Sequence, residues 1–88
     1  MFDIKLEQMT ATLWMDHRDY EVAYKNGVSA LTPGFNKLTY SQAVELIGQF
    51  YRLRPSVSKY EIKQFDACIK QIMFAFGPEF EERHKYPA

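Results

Sequence analysis

The sequence predicts a small, mainly helical domain, and three observations support this class. The chain has 88 residues, of which 47% are hydrophobic and 16% aromatic, enough for one packed core and too apolar for a disordered segment. Its second half contains two stretches with apolar residues at helical spacing, each opened by a capping box. No glycine or proline occurs before Gly27. The alternative is an α+β domain, with an N-terminal β-hairpin or small sheet packed on two helices.

The first of these stretches predicts a helix over residues 39–54. Thr39 can cap its start, and Gln42, three residues on, can complete a capping box. Apolar residues then recur on one side of the helix, with polar residues opposite. Pro55 ends the helix, because the residue before a proline is disfavoured from the helical conformation.

The second stretch predicts a helix over residues 58–76. Ser58 and Glu61 form its capping box, and Gly77-Pro78 supplies a glycine cap followed by a residue that cannot continue the helix. The linker between the two helices has about four residues, which favours an antiparallel helix pair.

The first 36 residues are consistent with two interpretations. Apolar residues repeat at helical spacing, and Asp16 can cap a helix that ends at Asn26-Gly27. Asn26-Gly27 is also a strong hairpin signal. Two short segments alternate as strands do: Phe2, Ile4 and Leu6, and Tyr20, Val22 and Tyr24. The uninterrupted run before Gly27 favours helices, although a helix here would have to bury two faces.

The rest of the chain is expected to form connections around a single domain over residues 1–88. Residues 28–37 include Pro33-Gly34 and predict a loop, from which Phe35 is expected to enter the core. Residues 79–88 predict an exposed C-terminal tail, in which Phe80 is the residue best able to dock.

Charge and cysteine content bear on location and partners. Eleven basic and eleven acidic residues cancel, but residues 37–71 hold six basic and three acidic residues, which indicates an acidic or polyanionic partner. Cys68 has no second cysteine with which to form a disulfide, which favours a reducing, cytoplasmic location. No apolar stretch approaches the roughly 20 residues of a membrane span, so no membrane association is expected.

Metal and thiol chemistry find little support in the sequence. His17 and His84 lie far apart, and no spacing of histidine, cysteine and carboxylate residues resembles a metal site. Cys68 falls within the last predicted helix, beside its apolar stripe, and is expected to be a small core residue. No metal and no cofactor are predicted.

The densest polar cluster runs from Asp16 to Asp19. A carboxylate beside the imidazole of His17 could support acid–base chemistry. Helix capping by Asp16 and helix-dipole stabilisation by Asp19 explain the same residues more simply, and His17 is expected to be half-buried on the apolar stripe. The sequence therefore predicts no enzyme.

The last predicted helix has a second face that a purely structural helix does not need. It carries cations and aromatic rings together: Lys59, Tyr60, Lys63, Lys70 and Phe74. Arg52 and Arg54, at the end of the preceding helix, could extend this patch. The rings could pack on the N-terminal segment, anchor a protein partner, or stack on the bases of single-stranded nucleic acid.

These observations predict a small non-enzymatic binding protein, an accessory regulator or inhibitor that blocks a macromolecule by occupying its surface. Short, neutral, aromatic-rich chains of this kind are common among phage and mobile-element proteins. In this interpretation Tyr60 and Phe74 are anchors, and the lysines and arginines steer an acidic partner. Binding of RNA or single-stranded DNA through the same face is the alternative. The oligomeric state is not predicted.

Overall fold

The computed structural model describes residues 5–86. Within them the elements follow in this order: β1 (Thr10–Met15), α1 (His17–Lys25), β2 (Gly34–Thr39), α2 (Tyr40–Leu53), α3 (Lys59–Phe76) and α4 (Pro78–His84). Short 3₁₀ turns occupy Leu6–Gln8 and Arg54–Ser56. Helices dominate and the two strands form one small antiparallel sheet, so the predicted class, mainly α or α+β, is confirmed.

Both predicted capping boxes are present. The hydroxyls of Thr39 and Ser58 accept hydrogen bonds from the backbone N–H groups of Gln42 and Glu61, each at 3.2 Å. The Gln42 and Glu61 side chains bond back to the capping residues, which satisfies two N-terminal donors at each helix. α3 ends at Phe76 and is capped by Gly77, whose φ of 97° suits glycine far better than other residues.

α2 and α3 form the expected antiparallel pair. The rings of Phe50, late in α2, and Phe65, early in α3, are stacked with centroids 4.7 Å apart. At the other end, Tyr40 begins α2 and lies 6.0 Å from Phe76, at the end of α3. The start of one helix therefore meets the end of the other.

The helical interpretation is wrong for residues 10–15, which form β1. Ala11, Leu13 and Met15 are buried while the residues between them are exposed, because a strand with one buried face alternates with a period of two. β1 pairs with β2 from Thr10 opposite Thr39 to Met15 opposite Gly34. Of the residues that suggested an earlier strand, Phe2 and Ile4 lie outside the described part of the chain.

α1 shows the opposite outcome, because the strand interpretation of residues 20–24 is wrong and the helical one is confirmed. The Asp16 carboxylate accepts a hydrogen bond of 2.8 Å from the N–H of Asp19 and caps the helix as predicted. The chain then turns at Asn26 and Gly27, where Gly27 has a φ of 93°.

The predicted loop ends earlier than expected, because β2 begins at Gly34. The strand directs Asn36 and Leu38 inwards, so its outward-facing Phe35 is 75% exposed and the prediction that Phe35 enters the core is wrong. Asn36 is buried and polar, yet satisfied. Its side chain accepts a hydrogen bond of 2.9 Å from the N–H of Thr32 and donates one of 2.8 Å to the carbonyl of Thr32.

The segment expected as a tail forms α4 over most of its length. Phe80 is fully buried, and its ring stacks on Phe76 at 4.7 Å. Most other α4 side chains are exposed, but Arg83 forms an ion pair of 2.9 Å with Glu7 that ties the helix to the other end of the described chain. This ion pair lowers the pKa of Glu7.

One core joins the sheet to the helices. Its largest fully buried side chains come from β1, from the segment after α1 and from three helices: Leu13, Met15, Val28, Ile47, Phe50, Phe65, Ile72 and Phe80. The helices facing this core are amphipathic. Between residues 5 and 86, no helix combines the length and apolar character that crossing a membrane requires.

Candidate binding surface

The second face of α3 is open to solvent along its whole length. We define the α3 outer face by its six exposed residues: Lys59, Tyr60, Lys63, Ala67, Lys70 and Phe74. They fall within about 100° of one another on a helical wheel. The opposite side of α3 supplies the core with Phe65, Ile72 and Phe76, among others. The structure therefore shows the predicted division of α3 into a buried face and a solvent-exposed face.

Tyr60 and Phe74 differ in how freely they are presented. Phe74 is 90% exposed and Tyr60 is 53% exposed. The guanidinium of Arg18, from α1, lies 5.5 Å from the centroid of the Tyr60 ring, and such a cation–π contact partly holds that ring in place. The two rings are 14 positions apart, which corresponds to about 21 Å along the helix axis.

The three lysines of the α3 outer face carry uncompensated charge. None of Lys59, Lys63 and Lys70 forms an ion pair with a residue of the described range 5–86. Lys25 differs, because its ammonium lies 3.0 Å from the carboxylate of Glu61. The α3 outer face thus combines solvated cations with an almost fully exposed phenyl ring.

The two arginines predicted to extend this surface differ in where they lie. Arg54 forms an ion pair with Asp66, and its guanidinium lies 5.1 Å from the ring centroid of Tyr86, so it is engaged within the fold. Arg52 is exposed, but it borders a depression beside Gly27. Arg54 also borders a depression that Lys70 lines, so it adjoins the α3 outer face, whereas Arg52 does not line that depression.

Sequence reasoning did not identify an aromatic pair on the outer face of the sheet. Trp14 and Phe35 face each other across the two strands, with ring centroids 4.8 Å apart in an edge-to-face arrangement. Trp14 is 50% exposed. The alternation of Thr10, Thr12 and Trp14 with buried residues was the signal that could have revealed this face.

Gln71 joins this aromatic pair to α3. Its side-chain oxygen accepts a hydrogen bond from the N–H of Trp14, and its side-chain nitrogen donates one to the carbonyl of Trp14, both at 2.9 Å. The amide thus occupies the free edge of β1 as a neighbouring strand would. Phe74 follows Gln71 by less than one helical turn, so the side chain that binds the Trp14 backbone and the exposed Phe74 ring come from neighbouring positions of α3.

The polar cluster at residues 16–19 has structural roles. Asp16 caps α1, and His17 is exposed, with its Nε2 2.8 Å from a carboxylate oxygen of Glu21. The prediction that His17 is half-buried is therefore wrong. Burial raises the pKa of Asp19, helped by the nearby charge of Asp16. The four main depressions on the surface of residues 5–86 are lined by other residues.

Cys68 lies in the core, as predicted. Burial raises the pKa of its thiol to about 12, which leaves almost no thiolate at neutral pH. Across residues 5–86, no three histidine, cysteine, aspartate or glutamate side chains come together in a way that could hold a metal ion.

His84 belongs to an aromatic cluster at the end of α4. The hydroxyl of Tyr40 lies 2.8 Å from His84 Nε2, and the imidazole packs 4.6 Å from the ring of Phe80. Burial, together with the charge of Arg83, lowers the pKa of His84. The neutral imidazole can accept a hydrogen bond from the tyrosine hydroxyl in this arrangement, whereas the protonated imidazole cannot.

Comparison of the chain with known protein families, with curated proteins and with solved structures finds no match in any of the three.

Proposed function

We propose that this chain is a small non-enzymatic binding protein, an accessory regulator or inhibitor that acts by covering part of a partner protein. The observation that carries the proposal is the almost complete exposure of Phe74 beside lysines that form no ion pair within the described residues. Exposed rings are typical of the small number of residues that dominate binding energy at protein interfaces. A cytoplasmic location fits the free, buried Cys68.

The chemistry of the α3 outer face defines the partner. Phe74 requires an apolar recess, and Lys63 and Lys70 require acidic residues around it. Trp14 and Phe35 offer a second aromatic contact. If a partner bound both Phe74 and the Trp14–Phe35 pair, the bound part of the partner's surface would be sterically blocked.

The first experiment isolates the partner and measures the contribution of Phe74. Tagged protein is used for affinity capture from the source cell, with and without nuclease, and the captured protein is purified for titration. Phe74→Ala should weaken its binding at least about 30-fold, the effect of a hot-spot ring. Tyr24→Ala is the control, because Tyr24 is 59% exposed but lies on α1. Equal effects of the two variants would contradict the proposed surface.

The second experiment separates a protein partner from nucleic acid. Binding of a phosphate backbone through the same lysines would fall steeply with salt concentration, whereas an aromatic contact steered by charge should weaken only gently. Joint replacement of Lys63 and Lys70 by glutamate should slow association with the partner. The same change at Lys5 and Lys85 alters net charge equally and should have less effect. Capture that is lost on nuclease treatment, with a steep salt dependence, would show the alternative function and refute ours.

A further inference from the structure

The outer edge of β2 carries backbone groups that β1 does not use. Hydrogen-bonded and non-hydrogen-bonded pairs alternate along an antiparallel ladder. Trp14 directs its N–H and carbonyl away from β2, to Gln71, so Trp14 and Phe35 form a non-hydrogen-bonded pair. Phe35 and, two residues on, Lys37 therefore direct their own N–H and carbonyl groups to the outer edge. At the β1 edge Gln71 occupies the outward groups of Trp14, whereas no hydrogen bond from residues 5–86 reaches the outward backbone groups of Phe35 and Lys37, and we call this β2 edge open.

A groove of about 280 Å³ lies beside this open edge. Its apolar side chains are Leu31, Leu38 and Leu46, contributed by the preceding loop, β2 and α2. Small-molecule pockets span about 300–1,000 Å³, so this groove is just below that range and can accept long side chains of a bound segment. A strand placed against β2 would direct alternate side chains towards the groove.

Two charged residues line the groove and can pair with charged side chains of a bound segment. Neither Lys37 nor Glu45 forms an ion pair within residues 5–86. Lys37 is on the outer face of β2, where it would lie opposite an outward-facing residue of an added strand. Glu45 is on α2, on the groove side of the sheet.

We propose that the open edge of β2 binds an extended segment of a partner protein as a third, antiparallel strand. Backbone hydrogen bonds to Phe35 and Lys37 supply affinity, as in other cases of strand addition. An arginine or lysine of the segment faces inwards, with its aliphatic part on the leucines and its charge near Glu45. An acidic residue of the segment faces outwards, opposite Lys37.

A second copy of this chain fits the edge less well. Its β2 would present Asn36 and Leu38 inwards, and both are already buried in that copy's own core. The groove would then receive no side chain. An independent segment has its inward side chains free to fill it.

The test uses a synthetic peptide and nuclear magnetic resonance of the full chain. The probe is an acetylated, amidated hexapeptide, Thr-Arg-Glu-Arg-Val-Thr, in which the glutamate faces outwards opposite Lys37 and both arginines face inwards. We expect shifts and slowed hydrogen exchange at the backbone amides of Phe35 and Lys37. The charge-reversed peptide, Thr-Glu-Arg-Glu-Val-Thr, should bind about tenfold more weakly, because three cross-strand and groove contacts become repulsive. Equal binding of the two peptides, or no binding at concentrations up to about 5 mM, would overturn the proposal.

Two variants test the edge and the groove separately. Lys37→Pro removes an outward N–H without breaking the β1–β2 ladder, which is where proline is tolerated in sheets, and should weaken the probe about fivefold relative to Lys37→Gln. Glu45→Gln should weaken binding of the probe about threefold. It should leave binding of a peptide with leucine in place of arginine unchanged. If Lys37→Pro fails to fold, the Glu45→Gln comparison still decides. A chain that sediments as a dimer, and as a monomer after Lys37→Pro, would assign the edge to a second copy and refute the proposal.

This inference does not depend on the proposed function. Phe74→Ala should leave binding of the probe unchanged, because Phe74 lies on α3, beyond the closed edge of β1. A loss of probe binding in Phe74→Ala would place the peptide on the α3 outer face and overturn the edge proposal.

Discussion

Replacing Phe80 with alanine tests whether α4 is part of the core. Phe80 is fully buried, and its ring stacks on Phe76 and lies 5.7 Å from that of Tyr40. Truncation of a buried phenylalanine costs about 3–5 kcal/mol in lost transfer energy and cavity formation. A domain of 88 residues is stabilised by only about 4–13 kcal/mol, so this one change should remove a large share of the total.

The assay is equilibrium unfolding in urea, followed by circular dichroism and by tryptophan fluorescence. We expect Phe80→Ala to lower the free energy of unfolding by about 4 kcal/mol, and the melting temperature by about 20 °C. Phe74→Ala is the matched control, because it makes the same chemical change at a 90% exposed position. It should change the stability by no more than about 0.5 kcal/mol.

A loss of less than about 1 kcal/mol in Phe80→Ala would refute this reasoning. Residues 78–84 would then not pack on the core, and the exposed tail expected from the sequence would be the better description. A large loss in both variants would instead show that Phe74 is covered in solution, which would also remove the basis of the proposed binding surface.

Three further predictions concern single contacts. Gln71→Ala should lower stability by about 1–2 kcal/mol, because two hydrogen bonds to the backbone of Trp14 are lost, and faster amide exchange at Trp14 would locate the effect. The lowered pKa of His84 means that the unfolded chain binds a proton more readily, so stability should fall as the pH drops below the ordinary value of 6.5, and His84→Gln should reduce this dependence in urea titrations. Cys68, whose pKa burial raises to about 12, should resist thiol reagents at pH 8 in the native chain and react after unfolding. Rapid labelling of native protein would contradict its buried position.

The sequence predicted the helices wherever local signals and burial agreed. Thr39 and Ser58 each stand three residues before a glutamine or glutamate and just ahead of an apolar stripe, so capping and periodicity gave the same start. The same agreement placed the exposed residues of α3 opposite its core residues. Local patterns suffice in such cases because a helix closes its hydrogen bonds within its own segment.

Strands depended on partners that the sequence does not specify. β1 and β2 are separated by α1 and a loop, so no tight turn in the sequence indicates that they pair. Asn36 also weakens the strand pattern of β2, because it is a polar residue at an inward position. Its hydrogen bonds to Thr32 make its burial possible. Because the sequence predicts a loop here, it does not indicate that Phe35 faces outwards, and the Trp14–Phe35 pair could not be predicted.

The contacts of the arginines could not be predicted for a related reason. Arg52 and Arg54 are near α3 in sequence, but the direction of a side chain at the end of a helix depends on the turn that follows. Arg54 finds Asp66 and Tyr86, and this contact depends on the tertiary arrangement of α3 and the C-terminal residues. Proximity along the chain therefore did not indicate how each arginine is engaged within the fold.

The side chain of Gln71 limits how this protein can aggregate. Fibrils grow because every strand offers two receptive sides, one for the molecule before it and one for the molecule after. Here the Gln71 amide takes up the outward N–H and carbonyl of Trp14, so another molecule cannot pair with β1 at that residue. Loss of that amide should therefore do more than weaken the fold: it should leave the outward groups of Trp14 available for pairing with another molecule.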